Sequence, residues 1–120
     1  MTGRLRVGYE ADFAPLTFTE DGSARGLVVE SLNLVFDRIG CVADFVPVAL
    51  PAQDKAVSDG EIDAIAFKAA IPERAATYDF SNPIMTSGAA WFGCVSIPFG
   101  ESPSAGSRIA TPGAGPLLAQ

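Results

Sequence analysis

The stretch Val28-Val29-Glu30-Ser31-Leu32-Asn33-Leu34-Val35-Phe36-Asp37-Arg38-Ile39-Gly40-Cys41-Val42-Ala43-Asp44-Phe45-Val46-Pro47-Val48 changes its period once, at Gly40. Before that point Val28, Leu32, Val35, Phe36 and Ile39 recur at i, i+4, i+7, i+8 and i+11, which is one face of a helix. Gly40 stands where a left-handed glycine ends a helix. Beyond it, Val42 to Val48 is β-branched and aromatic, which predicts a strand. A helix handed to a strand through one glycine is a building unit of layered α/β folds.

Working outward, Leu5 to Tyr9 is a short apolar run that reads as a strand. Ala11 to Pro15 reads as a loop, and Leu16 to Thr19 as a second short strand closed by the turn Glu20-Asp21-Gly22-Ser23. Downstream, Pro51 suits the first turn of a helix running to about Asp59 and stopped by Gly60. Ile62 to Phe67 predicts a buried strand, and Pro72-Glu73-Arg74-Ala75 a short helix behind its proline. Ala89 to Ile97 is the longest strand candidate, and Ser107 to Ala110 opens another. Strands alternating with helices predict an α/β fold, a mixed sheet flanked by helices. Ligands of such sheets sit beyond the carboxyl ends of the strands, which singles out the loops after Tyr9 and after Phe67.

Composition removes several kinds of function. The 120 residues are 48% apolar and 18% charged, with mean hydropathy +0.28, which is incompatible with a disordered chain. Fourteen acidic against eight basic side chains give a net charge of −6, the wrong sign for tracking phosphates, so no nucleic-acid partner is expected. Without a histidine the chain lacks the commonest metal ligand and general base, and no metal or cofactor is expected. Cys41 and Cys94 have neither metal spacing nor a Cys-x-x-Cys pattern and read as buried free thiols in apolar strands. Phe80 to Gly100 carries no charge, yet Ser81, Asn82, Pro83, Thr86, Ser87, Gly88, Ser96 and Pro98 interrupt it. It is therefore not read as inserting into a membrane. No apolar leader precedes Leu5.

Several segments in order carry a resemblance. They are Val7-Gly8-Tyr9-Glu10-Ala11-Asp12-Phe13-Ala14-Pro15-Leu16-Thr17-Phe18, Gly26-Leu27-Val28-Val29-Glu30-Ser31-Leu32, and Asp59-Gly60-Glu61-Ile62-Asp63-Ala64-Ile65. Pro72-Glu73-Arg74-Ala75 and Asp79-Phe80-Ser81-Asn82-Pro83 follow. This series is similar to the extracellular solute-binding proteins of amino-acid ABC transporters, bacterial family 3, with the type II periplasmic-binding fold. The resemblance implies a two-lobed clamp that holds its ligand between lobes. It implies residues 1–97 as a first lobe with a crossover strand, 98–106 as a linker, and 107–120 as the start of a second lobe, hence a truncated lobe. It further implies an ABC permease as partner and a place outside the cytoplasmic membrane. With no leader in the chain, a cytoplasmic location stays open.

The resemblance also implies site residues. Phe13 matches the aromatic that stacks on the ligand side chain, a face that meets apolar or cationic groups without a donor. Glu10 falls on an acidic position that accepts a ligand amine or orients the loop. Arg74 matches the arginine that forms a forked pair with the ligand carboxylate, a two-point geometry lysine lacks. The family usually places Ser or Thr just upstream of that arginine, whereas this chain has Ala66, Phe67, Ala69 and Ile71. Lys68 can replace them as a point charge. Gly113-Ala114-Gly115 resembles the glycine turn of the second lobe. Asp12 reads as a surface charge, Glu30 and Asp63 as structural, and Trp91 and Phe92 as core or interface residues.

Three readings follow. The leading one is a binding module for a small carboxylate-bearing, amino-acid-like solute, weak unless a second copy or partner chain supplies the other wall. The second is a dehydratase-like enzyme of the same fold, with Glu10, Asp12 or Lys68 as the acid group. The third is an orphan lobe without a ligand, its uncovered edges paired in a homodimer or by exchange of Ala89 to Ile97.

Overall fold

The computed structural model describes residues 3–96, 100 and 105–111. The chain divides into two compact units at Ala69 and Ala70. In the first unit, β1 (Gly3–Tyr9) lies between β5 (Cys41–Pro47) and β6 (Ala64–Ile65), parallel to both. Val7 is the centre of the register, opposite Phe45 on one side and Ala64 on the other. The chain between β1 and β5 forms a second, antiparallel sheet of β2 (Asp12–Phe13), β3 (Thr17–Glu20) and β4 (Ser23–Arg25). Parallel and antiparallel pairing are thus both present, divided between two sheets. The loop expected over Ala11–Pro15 contains β2, because Asp12 and Phe13 find a ladder partner in Phe18 and Thr17.

The helix predicted from Val28 is α1 (Leu27–Ile39), ended by Gly40 at φ 70°. Its Val28 packs with Val7, Tyr9 and Ala66 in the core, and Leu32 and Phe36 lie against that cluster. Val35 and Ile39 are exposed instead, because the buried stripe also takes in Val29 and so runs to one side of the expected face. A parallel sheet needs cover on both faces. On the face away from α1, Gly8 has no side chain, and the Ile62 Cδ1 methyl fills that space, 2.5 Å from where a Cβ would stand. A 3-10 turn over Leu50–Ala52 leads into α2 (Gln53–Ser58), as Pro51 predicts. The strand expected over Ile62–Phe67 is shorter, only Ala64–Ile65, because its partner β1 pairs with it at just Val7 and Gly8.

The start of α1 decides where the loop before it lies. Gly26 precedes the helix and offers no side-chain cap. The first amides instead donate to the loop: Leu27 N–H to the Pro15 carbonyl and Val28 N–H to the Leu16 carbonyl, both at 3.0 Å. These are orphan donors that any helix must satisfy. A Cβ at Gly26 would stand 2.3 Å from the Leu16 carbonyl oxygen, and its φ of 119° is one that side chains disfavour.

In the second unit, α3 (Pro72–Ala75) is the short helix expected behind Pro72, and the Thr77 and Tyr78 amides close it on the Arg74 carbonyl. Elsewhere this unit departs from expectation. Residues 89–94 form no strand, and 95–96 form a turn. A strand exists only where a neighbour takes its backbone groups, and no described residue pairs with this segment. Trp91 and Phe92, expected in a core or an interface, are 52% and 91% exposed and lie in no core of the described residues. Cys94 is exposed, not buried in a strand, while Cys41 is buried in β5. Residues 107–110 form no strand either. Residues 97–99, 101–104 and 112–120, which include most of the expected linker and the Gly113-Ala114-Gly115 turn, lie outside the described residues.

Asp63 has the structural role expected of it. Arg6 donates to it twice from its guanidinium, at 2.9 and 3.2 Å, and once from its backbone amide at 2.9 Å. The Asp63 amide returns a 2.8 Å bond to the Arg6 carbonyl. The guanidinium bonds above all, then the amide bond, lower the Asp63 carboxyl from 3.8 to about 2. A carboxyl lowered by folding stabilises the fold above its unfolded value, and that contribution is lost as pH falls through the folded value. Urea denaturation between pH 4 and pH 2 should show a loss of stability that is reduced in Asp63→Asn.

Candidate functional site

The order β5-β1-β6 means that the chain leaves β1 to one side and then returns to the other. The strand order reverses at β1, and the crevice beyond the carboxyl ends at such a point is where α/β sheets hold ligands. Three of the four expected site residues come from the segments that follow β1 and β6 there.

Glu10 follows β1 directly. Its Oε2 accepts the Leu50 amide at 2.8 Å and its Oε1 accepts the Asp12 amide at 3.2 Å. One carboxylate therefore ties the loop after β1 to the turn before α2. The Glu10 carbonyl accepts the buried Thr17 hydroxyl at 2.7 Å, and the Tyr9 carbonyl accepts the Val48 amide at 2.8 Å. Both Glu10 oxygens are thus engaged by backbone amides. Asp12 is exposed, as expected of a surface charge.

Phe13 ends β2 and is 43% exposed. Its ring stacks on Phe67, with centroids 5.5 Å apart and planes within 2° of parallel. Phe67 packs against the core cluster, and the Ala66 amide just before it donates to the Gly8 carbonyl at 2.8 Å. That bond continues the β1–β6 pairing and fixes where Phe67 leaves the sheet.

Lys68 is not the exposed lysine that its residue type suggests. Its side chain is 11% exposed, and Nζ lies 3.1 Å from Asp54 Oδ1 in the first turn of α2. Arg74 belongs to the second unit, half-buried in the last turn of α3.

Sequence reasoning missed three contributors. Phe67 reads from the sequence only as a strand end and a position without a hydroxyl, although an aromatic leaving a strand at its carboxyl end is itself a signal. Asp54 and Gln53 carried none. Gln53 is buried and donates from Nε2 to the Val48 carbonyl at 3.1 Å, which shapes the turn that meets Glu10. A surface concavity of about 650 Å³ lies elsewhere, with Gly22, Ser23 and Phe45 in its lining; none of the expected site residues borders it. Among the described residues no group of His, Cys, Asp and Glu is placed to hold a metal ion, and no helix is long and apolar enough to cross a membrane.

A parallel sheet with its order reversed at β1, and an aromatic loop held over the carboxyl ends, defines a lobe of the periplasmic-binding type. The chain belongs to the bacterial extracellular solute-binding proteins, family 3, whose sequence profile matches residues 5–93. Solved structures agree. The L-cystine solute receptor of Neisseria gonorrhoeae, in an unliganded open conformation, is 30% identical with a TM-score of 0.62, covering 68% of this chain and 36% of its own. An ancestral arginine-binding protein bound to arginine is 30% identical with a TM-score of 0.64, over 69% of this chain and 38% of its own. An ancestral amino-acid-binding protein, a precursor of cyclohexadienyl dehydratase, is 31% identical with a TM-score of 0.66, over 71% and 39%. The chain thus spans well under half the length of these solved relatives. No curated protein matches it.

Removing the Glu10 carboxylate leaves the Leu50 amide without its acceptor. Glu10→Ala should cost about 1–3 kcal/mol, the usual penalty for such an orphaned group. In hydrogen exchange the Leu50 and Asp12 amides should lose protection first, with the α1 core unchanged.

Proposed function

We propose that the chain is a solute-binding module of an ABC-type uptake system and takes a small, carboxylate-bearing, amino-acid-like solute outside the cytoplasmic membrane. The observation that carries this reading is Phe13, an aromatic ring left 43% exposed on a loop that hydrogen bonds fix at the sheet's switch point. Phe13 offers the ligand side chain an apolar face. Lys68 supplies a positive point charge to the carboxylate by turning from Asp54. Glu10 keeps its loop in place and has lone pairs left for a ligand amine. For Arg74 the support is its Pro72-Glu73-Arg74 context and the two-point fork of a guanidinium. The permease partner rests on family membership.

A dehydratase-like enzyme is the second reading, favoured by the solved relative that is a precursor of cyclohexadienyl dehydratase. Such chemistry needs a proton donor at the reacting group. Both Glu10 oxygens instead accept amide hydrogens, an arrangement suited to holding a loop.

A binding site that closes on its ligand gains affinity by excluding water, and a single wall does not. For the 120-residue chain by itself, calorimetric titration with a panel of amino and dicarboxylic acids should give dissociation constants near the millimolar range, about 4 kcal/mol of binding. Arg74→Ala and Lys68→Met should each weaken that signal about tenfold or more, the worth of a charged hydrogen bond. Absence of heat with every member of the panel would favour an orphan lobe.

A further inference from the structure

Lys68 and Asp54 are unequal partners. Lys68 Nζ lies 3.1 Å from Asp54 Oδ1, yet the lysine side chain is 11% exposed and the aspartate 69%. Of the two, Asp54 is the one that water takes over when the pair opens. Ion pairs open to water are weak, worth a factor of about five at most.

The fold sets both positions by itself. Lys68 follows β6, whose pairing with β1 the Ala66 amide continues onto the Gly8 carbonyl. Asp54 stands in the first turn of α2, behind a turn held by the Glu10–Leu50 and Gln53–Val48 bonds. Asp54 also carries the same group as a ligand carboxylate, two oxygens that accept N–H donors. A carboxylate held in the same chain competes with a dissolved one at an effective concentration of about millimolar or above. Internal and dissolved carboxylates therefore compete on comparable terms.

We propose that Asp54 is a specificity-determining residue: it occupies the Lys68 ammonium in place of a solute carboxylate, and any carboxylate that binds there must displace it. This rests on the solute-binding reading above, in which Lys68 meets the carboxylate. The cost of displacement is the same for every carboxylate and is absent for a solute that does not use Lys68. Simple carboxylates are thereby held at low affinity. The substrate class this names is a carboxylate-bearing solute with a further group, an ammonium or an apolar side chain, that adds contacts of its own.

Ligand-observed saturation-transfer NMR tests this with alanine, propionate and alaninamide on the 120-residue chain, Asp54→Asn, Lys68→Met and the double variant. Asp54→Asn should bind alanine and propionate about fivefold more tightly, the worth of an ion pair open to water. Alaninamide, which has no carboxylate, should not gain. Asp54→Ala removes the acceptor outright, so it should gain at least as much and serves if the asparagine variant does not fold. In the Lys68→Met background the gain should vanish, because no ammonium is there to release. A gain that persists in that background would be a general effect of the lost charge and would overturn the proposal. An equal gain by alaninamide would overturn it too. Unchanged alanine binding in both Asp54 variants would overturn the role of Asp54 alone, since the solute-binding reading stands on the binding that remains. Silence of all three probes in every protein would overturn that reading and this proposal with it.

Discussion

The structure of the first unit depends on how α1 begins. A helix must find acceptors for its first amides, and this sequence provides no hydroxyl or carboxylate at the cap. The carbonyls of Pro15 and Leu16 take that role, and they do so because Gly26 lets the loop come within contact of the helix end. Two hydrogen bonds thereby satisfy the first two amides of the helix and fix the segment that carries Phe13. The Glu10 carboxylate anchors the other end of the same segment to Leu50. The loop that presents the candidate site is thus held by the groups that finish β1, α1 and the turn before α2.

The two ends of β1 serve different purposes. At the amino-end side, Arg6 and Asp63 exchange backbone and side-chain bonds, which draw β6 into register although it contributes only two residues to the ladder. At the carboxyl end the polar groups point into loops, and the apolar rings Phe13 and Phe67 meet above them. Arg4 and Asp44 make a further pair between β1 and β5, well exposed. Exposed pairs contribute little to stability, so they set register more than they hold the sheet. Burial of Val7, Tyr9, Val28, Val29 and Ile62 supplies the apolar driving force.

Much of this was legible in the sequence where a local signal coincides with a local cause. The helical period, the glycine at position 40 and the Glu20–Ser23 turn each act within a few residues, and each element stands where its signal lies. The switch point was legible as well, because alternating strands and helices place the loops after Tyr9 and Phe67. What sequence could not show is pairing. The run from Ala89 to Ile97 has a strand's composition, but residues 89–94 find no ladder partner among the described residues and form none. The Glu10–Leu50 and Lys68–Asp54 contacts join residues far apart in the chain, and composition carries no trace of them. Phe67 shows both sides of this: its place at a strand end was readable, and its stacking on Phe13 was not.

The central claim is that a small amino-acid-like solute is held at the carboxyl ends of β1 and β6, against Phe13. Amide hydrogen exchange of the chain, with and without saturating alanine, tests it most directly. The account predicts added protection confined to residues 10–16 and 66–68, with the already protected core of β1 and α1 unchanged. Protection that appears instead along β5 and the β3–β4 turn, or nowhere at all, would contradict it.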